Sequence, residues 1–291
     1  KRERFPSDDA ILKARMIDRS IRPRFPEDYK DEVSVIVTVM SYDGENDPAL
    51  LAINATSVAL MNSFAPFEGP IGAVRLGLNG DEVIPLYKAI DLTSEDEKMN
   101  YVVAGDGKTF TMIDAGTHIV SEEKILEAME ESLEMMKKWI KPQEEFMKKL
   151  EAKDKAYESA GLADEVVVAV EEMLGAETIR KNLEAGDAKM HEESREELFA
   201  KLEGKYSKAA ISEAYEKLQK KMLRKIVLDE DKRVDGRGIT DIREMATEVD
   251  LLPRVHGSAL FTRGVTQTLT IATLGSLRDV RLVDDMEGER E

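Results

Sequence analysis

The chain has 291 residues, with 42 Lys and Arg against 59 Asp and Glu, a net charge of −17 and a hydrophobic fraction of 42%. That leaves room for about two domains at ~150 residues each. The acidity excludes a protein coated in positive field for indiscriminate nucleic-acid binding, and the absence of cysteine excludes a disulfide scaffold.

The longest apolar run, about eight residues in VSVIVTVM, is far short of the ~20 a membrane helix needs. Neither a start methionine nor a signal-like stretch opens the chain, so both ends read as cuts in a longer, cytoplasmic polypeptide.

Residues 1–120 read as mixed α and β. In SDDAILKARMIDRS, Ser7 is a helix cap followed by acids and by apolar residues at helical spacing. EVSVIVTVMSYD reads as a β-branched buried strand. DPALLAINATSVALMNS starts with Asp47 as cap and Pro48 in the first helical position, then is apolar nearly all round, as a buried helix is. GPIGAVRLGLNGDEVIPL is a hairpin turning at Asn79-Gly80, and MNYVVAGDGKTFTMIDAG another turning at Asp106-Gly107.

From 121 to 228 the texture is helical, with a single proline, Pro142. Ile125, Leu126, Met129, Leu133, Met136, Trp139 and Ile140 mark one helix face, and Gly161, Gly175, Gly186 and Gly204 stand where helices should end. The pattern predicts about five helices, the first of which could belong to the preceding domain. From 229 to 291 the β texture returns, and HGSALFTRGVTQTLTIATLGS reads as a glycine turn feeding one long strand.

Several motifs fail on inspection. GDGKT lacks the upstream glycine of a phosphate loop, since Val102 holds that place, and it stands in a strand–turn–strand context. DGENDP has Pro48 where a calcium loop needs glycine. His118, His191 and His256 are scattered, and HEESR has Arg195 where a zinc helix needs its second histidine. The acids of DDMEGE at 284–289 read as a solvated turn. More suggestive is MIDRSIRPRFP, where Arg15, Arg19 and Arg22 share a helix face. Such guanidinium forks suit phosphate oxygens, or else they pair with Asp18 and other acids within the fold.

Two long stretches carry a resemblance. RVDGRGITDIREMATEVDLLPRVHGSALFTRGVTQTLTIATLG resembles the opening of the second ribonuclease-PH-like core of polynucleotide phosphorylases. KRERFPSDDAILKARMIDRSIRPRFP, followed by ENDPALLAINATSVALM and PFEGPIGAVRLG, resembles the later half of the first core. The helical stretch lies where that family carries an all-α linker. The resemblance implies an α+β fold: two partial cores, at 1–120 and 229–291, flanking an all-helical domain at 121–228. On this reading the chain is an internal segment, and the strands near its end have partners elsewhere in the polypeptide.

The family resemblance implies phosphorolytic 3′-to-5′ degradation of single-stranded RNA, in which inorganic phosphate releases nucleoside diphosphates. It also implies Mg²⁺, a homotrimer, partners in an RNA-degradation complex and no membrane. The family's phosphate loop and its two metal aspartates are expected downstream of Glu291. In this first core the corresponding loop reads GENDPALL, where Asp47 repels phosphate and Pro48 offers no N–H, so the copy is expected to be inert. Lys1 and Arg2 match the basic end of the family's Phe-Phe-Arg-Arg loop, although ERFP departs from its usual continuation. Arg22, Arg75, Arg237 and Arg290 match basic positions resembling RNA-facing ones. Two other readings stand beside this one: a non-catalytic RNA-binding scaffold of the same fold, and an acidic helical module that docks proteins.

Overall fold

The computed structural model describes residues 6–85, 99–151, 153–285 and 288–290. The chain divides into two compact units, residues 1–161 with 284–288, and residues 162–283 with 289–291.

In the first unit, α1 (Asp8–Ile21) begins where the Ser7 hydroxyl accepts the Ala10 N–H, with Asp8 and Asp9 in the first turn favouring the positive end of the helix dipole. Helix α2 (Pro48–Met61) is capped by Asp47, with Pro48 in the first turn. Four antiparallel strands follow: β1 (Gly72–Asn79), β2 (Glu82–Pro85), β3 (Met99–Gly105) and β4 (Phe110–Thr117), in sheet order β2-β1-β3-β4. Gly80 and Gly107 take positive φ in the two turns that the sequence marks.

Strands β1 and β3 alternate between two cores. Ala73, Val102 and Ala104 join Ile17, Ile21 and Ile53 of α1 and α2 on one face. Val74, Leu76, Tyr101 and Val103 join Ala128, Met136 and Ile140 of α3 (Glu122–Met147) on the other. The first helix of the 121–228 stretch therefore covers the sheet of the first unit, because its Met and Ile stripe has that face to bury against. Gly72 permits the approach, since a Cβ there would stand 2.7 Å from the Met136 carbonyl oxygen. Between the layers, Asn54 bonds both backbone groups of Ala73, Ser57 accepts the Ile71 N–H, and Gln143 donates to the Ile71 carbonyl. These bonds satisfy buried polar groups and fix α2 and α3 against β1.

One strand expectation is corrected. Residues 33–42 belong to no strand of the described sheets, and Ile36 and Met40 are 88% and 89% exposed. β-branched composition favours strand backbone, but a ladder also needs a neighbouring edge, and none among the described residues pairs with this one.

The second unit holds α4 (Asp164–Ala185), α5 (Ala188–Leu202) and α6 (Lys208–Glu230). Gly175, at φ 74° and ψ 150°, breaks α4 into two helical pieces, and Gly186 ends it in the left-handed region. With α3 that makes five helical pieces, but Gly161 ends none of them: α3 stops at Met147, and Gly161 lies in the non-helical stretch before α4. Val170, Ile179, Leu198, Ile211 and Tyr215 are fully or almost fully buried among them. The Tyr215 hydroxyl meets Asn182 Nδ2 at 3.2 Å and His191 Nδ1 at 3.1 Å, so the half-buried histidine is engaged at the edge of this core.

Strands β5 (Met245–Val249), β6 (Gly257–Arg263) and β7 (Thr266–Ala272) then form a three-stranded antiparallel sheet. The single long strand expected over 256–276 is two strands. Gly264, at φ 59°, turns the chain, and Arg263 pairs with Thr266. Most residues of this sheet are exposed, Val249, Phe261, Leu269 and Ile271 included. Two short strands, β8 (Val283–Asp285) and β9 (Gly288–Arg290), complete the order.

Candidate nucleic-acid interface

The basic residues marked by the sequence differ in what their side chains already hold. At the C-cap of α1, Arg22 is 75% exposed and holds Asp18 one turn back through Nε at 3.2 Å and Nη2 at 2.6 Å, with Nη1 left for an incoming phosphate. Arg19 donates to the Ile113 carbonyl at 3.0 Å and approaches Asp114, so it ties α1 to β4. Arg15 is exposed and has no ion pair or hydrogen bond among the described residues. Two of the three arginines on this face thus pair with acids.

Arg237 is engaged in its own loop. It grips Asp235 through Nε at 3.0 Å and Nη2 at 2.8 Å, and gives Nη1 to the Asp241 carbonyl. The Arg237 hydrogen bond, opposed by partial desolvation, holds the Asp235 carboxyl below its ordinary value. Arg237 closes a turn rather than presenting a free fork. Lys1 and Arg2 lie outside the described residues. Arg290 is in β9, and its side chain lies outside the described residues as well.

Arg75 requires a correction. The family pattern puts it among RNA-facing positions, but in β1 it points, by strand parity, toward α2. There it forms an ion pair with Asp47, the two side chains only 8% and 6% exposed. The other oxygen of Asp47 accepts the Ala49 N–H at 2.8 Å. The N-terminus of a helix attracts anions through its free N–H groups and its dipole. Here the chain supplies that anion itself, and Arg75 neutralises it. The ion pair is why Asp47 can be buried at all.

Ahead of this cap, Asp43 accepts the N–H groups of Glu45 and Asn46, both at 2.9 Å, and the Asn46 amide. Those bonds lower its pKa from 3.8 to about 2. A carboxylate lowered in the folded state gives a contribution that is complete above its ordinary value and lost as pH falls through its folded one. The 43–46 turn is therefore expected to keep its amide protection down to about pH 3 and to lose it toward pH 2. Titration of Asp43 by NMR with a midpoint near 4 would contradict these bonds.

A cavity of about 470 Å³ between the β3–β4 turn and α3 is lined by Lys108, Lys137, Lys141 and Lys148, with Asp106, Glu144 and Glu145 among them. Asp106 already serves Arg24 and the turn amides, and Lys137 serves Glu134, so the lining is nearly balanced in charge. Among the described residues no three His, Cys, Asp or Glu gather closely enough to hold a metal ion. Nor is any helix there long and apolar enough to cross a membrane.

Sequence reading passed over one feature. On α6, KLQKKMLRK places Lys217, Lys220, Lys221, Arg224 and Lys225 on exposed positions of one side. The signal was there as a nine-residue stretch without an acid in a chain rich in them, but the helical texture made it read as an ordinary solvated face.

Comparison with known proteins gives the frame for these placements. Residues 1–66 match the model of the 3′ exoribonuclease family, domain 1. Residues 161–238 match that of the polyribonucleotide nucleotidyltransferase RNA binding domain. A polyribonucleotide nucleotidyltransferase of Caldicellulosiruptor bescii is 38% identical over 99% of this chain and 42% of its own length. The proteins of the same name from Chloroflexus aggregans and Treponema denticola are 37% and 36% identical over 98% and 100% of the chain. The chain spans about two-fifths of the length of these relatives. With two family segments in the relatives' order and similarity running from one end to the other, the chain belongs to the polyribonucleotide nucleotidyltransferase family.

Proposed function

We propose that this chain is the RNA-guiding middle of a phosphorolytic 3′-to-5′ exoribonuclease. The observation that carries the reading is likeness to polyribonucleotide nucleotidyltransferases over 98–100% of the chain. In the reaction, an oxygen of inorganic phosphate attacks the phosphorus of the 3′-terminal phosphodiester of single-stranded RNA. The bond from that phosphorus to the preceding ribose O3′ breaks and O3′ takes up a proton. The terminal nucleoside leaves as its 5′-diphosphate. Catalysis of this kind rests on donors placed around the transferring phosphoryl group.

The described residues contribute binding and scaffolding rather than those donors. The α2 N-terminus is filled by Asp47, and the clustered carboxylates that a cation needs are missing among the described residues. No step is therefore assigned to this chain's own side chains, and Mg²⁺ is proposed to be held by other parts of the polypeptide. Homotrimeric assembly, a cytoplasmic site and association with an RNA-degradation complex belong to the same proposal. Exposed Arg22 is proposed to meet RNA phosphates, as are Lys1, Arg2 and Arg290.

The test is phosphate-dependent shortening of a 5′-labelled single-stranded RNA. The complete polypeptide is expected to shorten it stepwise from the 3′ end only when phosphate is present, whereas residues 1–291 alone are expected to bind it without shortening. Binding without shortening by the complete polypeptide would favour the non-catalytic scaffold. Shortening by residues 1–291 alone would place the chemistry here after all.

A further inference from the structure

Helices of this chain set an acid one turn from their basic residues as a rule. Asp9 serves Lys13, Asp18 serves Arg22, and Glu134 serves Lys137. Glu184 serves Arg180, and Glu197 serves Lys201. The 217–225 stretch of α6 holds five cations and no acid, with Glu213, Glu216 and Asp229 standing four residues from Lys217, Lys220 and Lys225 at its ends and Glu216 turned to Arg195. Lys217, Lys221 and Lys225 follow one another at four-residue steps, and Lys220 and Arg224 do the same beside them. Like charges at that spacing repel and weaken a helix. At 3.6 residues per turn the five occupy an arc of roughly 140° and about 12 Å of helix axis. Leu218 and Ile226 bury the other side of the helix.

The surroundings relieve little of this repulsion. Lys217 is 3.9 Å from Asp164, itself 96% exposed, and Lys221 is 4.0 Å from Glu171, both at the outer limit of an ion pair. Lys220 and Arg224 have no ion pair or hydrogen bond among the described residues. Lys225 lies in the field of Glu230, but both oxygens of that carboxylate are taken by Arg180 at 2.6 and 2.7 Å. A chain with a net charge of −17 thus keeps on α6 a convex cationic strip that is only partly compensated.

We propose that this face of α6 is a phosphate track for single-stranded RNA, with Lys220, Arg224 and Lys225 as its contacts. The proposal rests on the RNA-binding reading above and gives it a surface. Charge complementarity selects the occupant: a row of flexible cations on a convex helix suits a polyanionic strand, and α6 lies within the residues matching the RNA binding domain model. Five cations in the strip, three of them the proposed contacts, and no aromatic side chain to stack a base make the contact one to phosphates, indifferent to sequence.

The experiment compares residues 1–291 with the variant Lys220→Gln/Arg224→Gln/Lys225→Gln, using labelled oligo(A) and oligo(U) across a range of salt. Each phosphate contact to a single strand adds about 0.7 to the slope of log affinity against log salt. The variant is expected to lower that slope by about 2 for both oligonucleotides alike. Its thermal midpoint is expected to hold or rise, since repulsion within α6 is relieved. A control variant, Lys189→Gln/Lys201→Gln, removes cations that already have partners and is expected to change neither. If the parent chain binds RNA and the triple variant binds it with the same slope, the track is elsewhere and the proposal is overturned. A loss confined to one oligonucleotide would overturn the phosphate assignment. Failure of the parent chain to bind either oligonucleotide would instead defeat RNA binding by this chain, and the track with it.

Discussion

Arg75→Ala is expected to destabilise the first unit by about 3–5 kcal/mol, because it leaves a buried carboxylate without its counter-charge. Asp47 cannot escape to solvent: it is nine-tenths buried, and one oxygen is fixed on the Ala49 N–H as the cap of α2. A paired replacement separates this explanation from mere loss of volume. Asp47→Asn with Arg75→Met keeps a capping oxygen and the long side chain, removes both charges, and eliminates the Arg75 Nε that lacks a partner. That double variant is expected to recover most of the loss, because a buried ion pair adds little over a neutral pair of similar shape. Denaturant unfolding followed over a double-mutant cycle measures the coupling. A loss below about 1 kcal/mol for Arg75→Ala, the level of an exposed pair, would return Arg75 to the surface and to RNA.

The second large effect lies in the helical unit. Tyr215→Ala is expected to cost about 3–5 kcal/mol, as truncation of a fully buried aromatic does, and to strip the hydroxyl that Asn182 and His191 share. Tyr215→Phe keeps the ring and loses only the polar contacts, so a cost of about 1–3 kcal/mol is expected. Far-UV circular dichroism during unfolding reads both variants, since α4, α5 and α6 carry most of the helix of that unit. Equal effects from the two substitutions would mean that the hydroxyl network, and not packing, holds the three helices.

Local chemistry made much of this fold legible. Ser7, Asp47 with Pro48, Asn79-Gly80 and Asp106-Gly107 each state what the backbone does within a few residues, and the structure follows them. What failed depended on distant partners. VSVIVTVM has strand composition without a strand beside it among the described residues, and the turn at Gly264 was hidden because β-branched residues flank it on both sides. The helical texture of 121–147 could not say that α3 closes the first unit, because its stripe would suit a bundle as well as a sheet. The interface was harder still. Arginine at a family position does not reveal whether a carboxylate waits behind it, so Arg75 and Arg237 read alike until their partners were seen. The α6 strip was visible as letters, but its meaning came from its pairing: Lys217 and Lys221 reach acids only at 3.9 and 4.0 Å, and Lys220 and Arg224 have no ion pair among the described residues.

The proposed activity of the complete polypeptide is cleavage of RNA by phosphate and not by water. The most direct measurement supplies the complete polypeptide with single-stranded poly(A) and isotopically labelled inorganic phosphate, and identifies the released nucleotide. Adenosine diphosphate carrying the label in its β-phosphate is expected, in amounts matching the nucleotides lost from the 3′ end. Release of unlabelled adenosine monophosphate at an undiminished rate would mean hydrolysis, and would contradict the assignment.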